Sequence, residues 1–187
     1  MLFEIIFVVI FIILIFICLY TDFHRICIMV YRKKNYVNKE KCYQIIKDVD
    51  ECMKKHNIFY YMSEGMALGL YRDGDLIEWD DDIDFGIFEK DYEKFKSLFV
   101  PDIDKKGYLY NNFGLIGKQH LVDFEFVAKD KKCISKYGRP CNELIPHLKK
   151  FRKIKWRGLE LNVPEESYYE YLYGKDWKTP KKEKPKK

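Results

Sequence analysis

The stretch Ile77-Glu78-Trp79-Asp80-Asp81-Asp82-Ile83-Asp84-Phe85 decides how this chain is read. It opens an alternating segment, 79–88, that the pattern predicts as a strand. Strand side chains alternate with period 2, so Asp80, Asp82 and Asp84 would share one face while Ile83 and Phe85 point to the other. Aligned carboxylates repel one another, and a fold accommodates them when a divalent cation sits among them. Oxygen-only ligands favour Mg2+ or Mn2+ over zinc. A solvated acidic turn would not interleave Ile83 and Phe85 so regularly. A calcium loop of the EF-hand kind fits the Asp80/Asp82/Asp84 spacing but fails at Phe85, where it needs Gly, and at Asp91, where it needs Glu.

Working outward, a third carboxylate is expected on a neighbouring strand. The predicted strand 119–127 offers Asp123 and Glu125 in the same alternation. Upstream, Cys42, Ile45, Ile46, Val49, Cys52 and Met53 recur at helical spacing and predict a helix over 39–56, with Asn57 as its stop. A buried strand follows at 58–62. Ser63-Glu64-Gly65 then turns the chain into a short helix, 66–71, whose first N–H groups would face a phosphate. Downstream, the pattern predicts a helix over 90–99 stopped before Pro101 and a strand at 108–110. A hairpin over 153–163 turns at Arg157-Gly158, and a last helix covers 165–173. Tyr168, Tyr169, Tyr171 and Tyr173 read as core and rim, and Trp79 and Trp177 as packing residues. The four histidines show no ligand spacing. The fold class is α+β: a small mixed sheet flanked by helices.

Gly65-Met66-Ala67-Leu68-Gly69-Leu70-Tyr71-Arg72, followed by Ile77 to Asp84, resembles the LicD/fukutin family, whose hallmark is a G-T-L-L-G-x-x-R segment leading to W-D-D-D-I-D. Val122-Asp123-Phe124 is similar to the family's third acidic strand. Val163-Pro164, Tyr171-Leu172-Tyr173-Gly174-Lys175-Asp176-Trp177 and Pro180 are similar to its closing Y-L-x-x-Y-G-x-x-W-x-x-P motif. Order and spacing agree from about residue 40 to 180. The resemblance implies a nucleotidyltransferase-like fold. It implies transfer of a phospho-substituent, of the phosphocholine or ribitol phosphate type, from a CDP-activated donor to a glycan or glycoconjugate hydroxyl. By position it makes Asp82, Asp84 and Asp123 the catalytic, Mg2+- or Mn2+-holding residues, with Gly65 and Arg72 near the donor phosphates and Asp80 at the rim. Asp123 or Glu125 would help deprotonate the acceptor. Two departures stand out: Met66 replaces the family's Thr, and only 38 residues (85–122) separate the acidic strands. Two other readings stay open: NTP-dependent nucleotidyl transfer, and a catalytically inactive membrane-tethered scaffold of the same fold.

The chain's net charge of +5 points at first to polyanionic partners. Six of its 34 basic residues and one of its 29 acidic ones fall within 178–187, which leaves 28 of each sign elsewhere. The excess is thus a Lys/Pro-rich tail, read as a disordered end, and the domain at 39–177 lacks the basic face of a nucleic-acid binder. Residues 5–20 are almost unbroken Ile, Phe, Val and Leu. With the first residues they approach the ~20 that span a bilayer, so 1–21 is expected to be a retained single-pass transmembrane signal anchor. A basic juxtamembrane linker, 22–38, follows it. The lysines and arginines after the span slightly favour a cytosolic C-terminal domain, while the family's endomembrane setting, of ER/Golgi type, places it in the lumen. Six scattered cysteines without a CxxC give no disulfide framework.

Overall fold

The computed structural model describes residues 39–80, 82–111, 114–117, 120–128 and 141–181. The expected span, the linker and residues 182–187 of the tail lie outside the described residues. Among the described residues no helix is long and apolar enough to cross a membrane.

The helical spacing of its apolar residues produces α1 (Lys39–Lys55), which buries Cys42, Ile45, Ile46, Val49, Cys52 and Met53. The chain leaves it at Asn57 with φ of +51°, a left-handed position that Asn tolerates. Next come β1 (Tyr60–Met62), α2 (Glu64–Arg72) and β2 (Asp82–Phe88). A helical run of changing pitch follows: a 3-10 turn (Glu89–Asp91), α3 (Tyr92–Lys94), a π turn (Phe95–Phe99) and α4 (Val100–Lys105). The chain then forms β3 (Leu109–Asn111), β4 (Gly114–Gly117) and β5 (His120–Val127). After α5 (Cys141–Leu144) and a 3-10 turn (Ile145–His147), the hairpin β6 (Phe151–Trp156) and β7 (Leu159–Pro164) leads into α6 (Glu166–Tyr173). The hairpin turns where the sequence predicted, with Arg157 and Gly158 both at positive φ.

The five-stranded sheet has the order β1-β2-β5-β4-β3. Its centre is the parallel pair β2/β5, with antiparallel neighbours on both sides. One face is apolar. Phe85 and Phe124 stack there at 5.4 Å, and Phe95 and Phe99 pack onto Phe124 from the π turn. Burying each such ring contributes roughly 1.5–3 kcal/mol. α1 is pinned to this face by two phenols: Tyr60 donates to Asp50, and Tyr108 donates to Asp48 at 2.6 Å. The other face carries Tyr61, Asp82, Asp84, Gly86, Asp123 and Glu125, by strand alternation and register. It is flanked by the β6/β7 hairpin, whose Phe151 meets Tyr61 and Phe88, and by Tyr168 of α6.

Three expectations need correction. The strand predicted over 79–88 starts only at Asp82, so Asp80 does not share the strand face of Asp82 and Asp84. Residues 77–80 form a turn instead, in which the Asp80 N–H donates to the Ile77 carbonyl at 3.2 Å. Packing of this segment against α2 overrides the alternation. The helical run does not stop before Pro101 but continues to Lys105. Pro101 directly follows the π turn, whose shifted hydrogen-bond register accommodates the missing N–H within the continuing helix. Finally, β4 has no counterpart in the sequence reading: four residues framed by two glycines give no periodic signal.

Candidate active site

The site is built where β1 hands over to α2, beside β2 and β5. Ser63 has an extended backbone, and its N–H donates to the Asp84 carbonyl at 3.0 Å. This continues the β1/β2 ladder by one pair, from Tyr61 opposite Gly86 and Met62 opposite Phe85 to Ser63 opposite Asp84. On the far side of β2, Asp84 lies in register with Asp123, and Gly86 with Glu125. Two rows therefore cross three strands on one face: Ser63, Asp84 and Asp123, then Tyr61, Gly86 and Glu125.

Asp82 joins the first row from two residues upstream. Asp82, Asp84 and Asp123 each present a carboxylate oxygen, and these lie within 4.8 Å of one another. Asp84 and Asp123 are buried, while Asp82 is half-buried, so the cluster is accessible from the β2 N-terminal side. Three oxygens at such separations suit a small octahedral cation, whose ligand oxygens at about 2.1 Å from the ion sit roughly 3–4 Å apart. A modest closure of the side chains completes the fit, and the all-oxygen donor set matches Mg2+ or Mn2+.

The remaining predicted residues divide between the two ends of α2. Gly65 lies in its first turn, packed against Asp80: a Cβ there would come within 2.2 Å of the Asp80 carboxylate. Gly69 lies one turn further on, where a Cβ would approach the Asp75 carbonyl oxygen to 2.6 Å. The two glycines thus let residues 75–80 lie back along the helix, which carries Asp80 to the start of α2. Arg72 is at the other end, seven residues or about 10 Å along the axis from Gly65. Its guanidinium, with a side chain 9% exposed, forms a two-pronged ion pair with Asp73 at 2.7–2.8 Å. The structure therefore brings Gly65 and Asp80 together and holds Arg72 apart from them. Met66, in the place of the family's Thr, is fully buried, so this position faces the core. Trp177 is buried as expected, whereas Trp79 is 36% exposed.

Three residues were not singled out for the site from the sequence. Glu64 takes φ of +48°, and its N–H donates to the Tyr168 hydroxyl at 3.1 Å. The ring of Tyr61 lies across Gly86, where a Cβ would reach its Cζ at 2.0 Å. Burial, then the charges of Glu125 and Glu64, push the Tyr61 phenol well above its ordinary value, so it remains protonated. The signal for Tyr61 was present in the strand alternation. Nothing local marks the role of Tyr168, 104 residues away from its partner in sequence.

Residues 57–137 match the family model described as LicD/FKTN/FKRP, nucleotidyltransferase domain. An uncharacterized protein of Rickettsia prowazekii is 34% identical over 91 residues, covering 48% of this chain and 34% of that protein. The ribitol-5-phosphate transferase FKTN of Mus musculus is 26% identical over 180 residues, covering 86% of this chain and 37% of the relative. Its Homo sapiens counterpart is 27% identical over 158 residues, covering 74% and 33%. The chain spans about one third of the length of these curated relatives. Among solved structures, the crystal structure of ANT(2'')-Ia with adenylyl-2''-tobramycin superposes with a TM-score of 0.50 at 14% identity, covering 71% of this chain and 75% of that one. The solution structure of the same antibiotic-resistance factor gives 0.51 at 14%, covering 74% of each. These two share the fold. The family resemblance carried by the Gly65–Arg72 and Trp79–Asp84 motifs therefore holds, and residues 57–137, from the turn after α1 past Asp123, match the LicD/FKTN/FKRP nucleotidyltransferase domain.

Proposed function

We propose that this chain is a membrane-anchored, Mg2+-dependent phosphotransferase that moves a phosphocholine- or ribitol-phosphate-type group from a CDP-activated donor to a glycan or glycoconjugate hydroxyl. The similarity to the LicD family and to fukutin supports a phosphotransferase of the LicD kind. The observation that carries the reading is the convergence of Asp82, Asp84 and Asp123 from two parallel strands. In this proposal those three carboxylates hold the cation. When bound, Mg2+ would neutralise the departing CMP phosphate and polarise the transferred group. Gly65, with no side chain, leaves the start of α2 open to the donor diphosphate. Asp80 borders that approach, and Arg72 serves the donor only if it exchanges Asp73 for phosphate. Asp123 or Glu125 takes the acceptor proton. The apolar segment 5–20 supplies the membrane anchor, with an endomembrane location in a eukaryotic or viral setting and no nucleic-acid partner.

The test is CMP release from CDP-choline and CDP-ribitol by the wild type and by the Asp82→Ala, Asp84→Ala double variant. Mg2+-dependent release by the wild type and none by the variant is the expected result. Equal release by both overturns the reading. A second reading, nucleotidyl transfer from an NTP, draws on the fold shared with ANT(2'')-Ia, which was solved with an adenylylated product. Pyrophosphate release from CTP or ATP without CMP release from either CDP-alcohol would favour it.

A further inference from the structure

Ser63 is 1% exposed, and its Oγ has no hydrogen-bond partner among the described residues. It stands at the N-cap of α2, where a serine ordinarily accepts a hydrogen bond from the second or third helical N–H, yet it makes no capping bond. The first helical N–H, that of Glu64, donates to the Tyr168 hydroxyl of another helix. A buried hydroxyl left without a partner costs stability, and such a group in a native fold calls for a reason.

The strand register supplies one. Ser63 is opposite Asp84 and two residues from Tyr61, so its side chain is on the face of Tyr61, Asp84 and Asp123. Opposed side chains on adjacent strands start about 5 Å apart. The hydroxyl therefore borders the carboxylate cluster, on the side of Asp84 away from Asp123. We propose that Ser63 is a positioning residue for the cation of the Asp82–Asp84–Asp123 site, its hydroxyl hydrogen-bonding a water in the cation's coordination shell. This rests on the metal reading of the site given above. The chemistry favours a water over direct ligation, because Mg2+ dehydrates reluctantly and retains several waters. Carboxylates only accept hydrogen bonds, whereas a hydroxyl both donates and accepts and so can fix a water's orientation. The burial of Oγ favours a water, of about 30 Å³, over a bulkier phosphoryl group, and the carboxylates must shift as the cation binds to admit that water.

The experiment is calorimetric titration of Mg2+, and of Mn2+, into the full chain as wild type, Ser63→Ala, Ser63→Gly and Tyr60→Phe, with melting curves in chelator. Both Ser63 variants are expected to bind Mg2+ about 10-fold or more weakly, the usual cost of removing an outer-shell partner. Their metal-free melting points are expected to equal or exceed that of the wild type, because an unpaired buried hydroxyl is gone. Tyr60→Phe deletes a buried hydroxyl on the opposite face of the sheet, where it donates to Asp50, and should leave Mg2+ affinity unchanged. Ser63 variants that bind Mg2+ within twofold of the wild type overturn the proposal while the metal reading stands. The same holds if they lose CDP affinity but not Mg2+ affinity, which would make the hydroxyl a phosphate contact. A wild type that binds neither cation overturns the metal reading and this proposal with it.

Discussion

Asp84 and Asp123 stand side by side in register on the parallel strands β2 and β5, 4% and 9% exposed. Two negative charges about 5 Å apart repel by roughly 3 kcal/mol in a protein-like dielectric of ~20. A cation between them replaces that repulsion with attraction. Asp84→Asn should therefore lose most of the rise in melting point that saturating Mg2+ gives the wild type. At 100 times the dissociation constant that rise corresponds to about 2.7 kcal/mol, or ~5–10 °C for a domain of this size. Thermal melts with and without Mg2+ check this, and a wild type indifferent to Mg2+ would refute it.

The two glycines of α2 should respond differently to the same substitution. At Gly69 a Cβ would meet backbone atoms, Asp75 O at 2.6 Å and Ile77 N at 2.9 Å, which cannot swing away. Gly69→Ala should cost about 1–3 kcal/mol of overpacking, only partly offset by the ~1 kcal/mol helix preference of Ala. At Gly65 the obstacle is the end of the Asp80 side chain, which can move. Gly65→Ala should melt within a degree or two of the wild type, yet release CMP more slowly because Asp80 is displaced from the head of α2. Equal melting points for the two variants would contradict this assignment.

Asp75 ties three elements together. It accepts from Lys39 at the start of α1 at 2.6 Å, from the Trp156 indole of β6 at 2.8 Å, and from the Leu76 N–H at 2.8 Å. Burial pushes its pKa up, but these hydrogen bonds outweigh it and hold the carboxyl at about 2. A carboxylate depressed in the folded state contributes stability that is complete above its unfolded pKa of about 4 and disappears as pH falls through about 2. The side chain is 43% exposed, so solvent screening reduces the contribution to about 1 kcal/mol. Asp75→Asn should therefore melt a few degrees below the wild type at pH 6, with the gap closing between pH 4 and pH 2. A gap that stays constant over that range would assign the brace to packing rather than charge.

Periodic and paired features were legible in the sequence, and features set by distant packing were not. The face of α1 and the β6/β7 turn follow from spacing and turn chemistry alone. Alternation put Asp82 and Asp84 on one face and offered Asp123 or Glu125 beside them; the resemblance singled out Asp123, and the parallel register of β2 and β5, which the fold supplies, sets it opposite Asp84. Asp80 was misplaced because three consecutive aspartates say nothing about where a strand begins. That limit is set by Gly65 and Gly69 drawing residues 75–80 onto α2. The helix through Pro101 was hidden because a π turn changes the hydrogen-bond register without changing composition. Ser63 is only part of a turn in the sequence, and its missing capping bond is visible only in the structure.

The turn that delivers Ser63 and Gly65 to the site is held by a contact that can be cut cleanly. Glu64 sits in the left-handed region at φ +48°, a conformation that costs a non-glycine residue about 1 kcal/mol, and its N–H is satisfied by the Tyr168 hydroxyl. Burial, and then the charge of Glu64, hold the Tyr168 phenol well above its ordinary value, so the contact persists across the working pH range. Tyr168→Phe removes the acceptor of this part-buried N–H and should cost about 1 kcal/mol. Glu64→Gly removes the backbone strain and should return about 0.5–1 kcal/mol. Because the two changes act on one turn, the double variant is expected to be non-additive, and a melting-point cycle measures the coupling. If this turn positions the cation site, Tyr168→Phe also weakens Mg2+ binding although Tyr168 is not among the carboxylates that hold it. Unchanged Mg2+ affinity in a destabilised Tyr168→Phe would restrict the contact to folding.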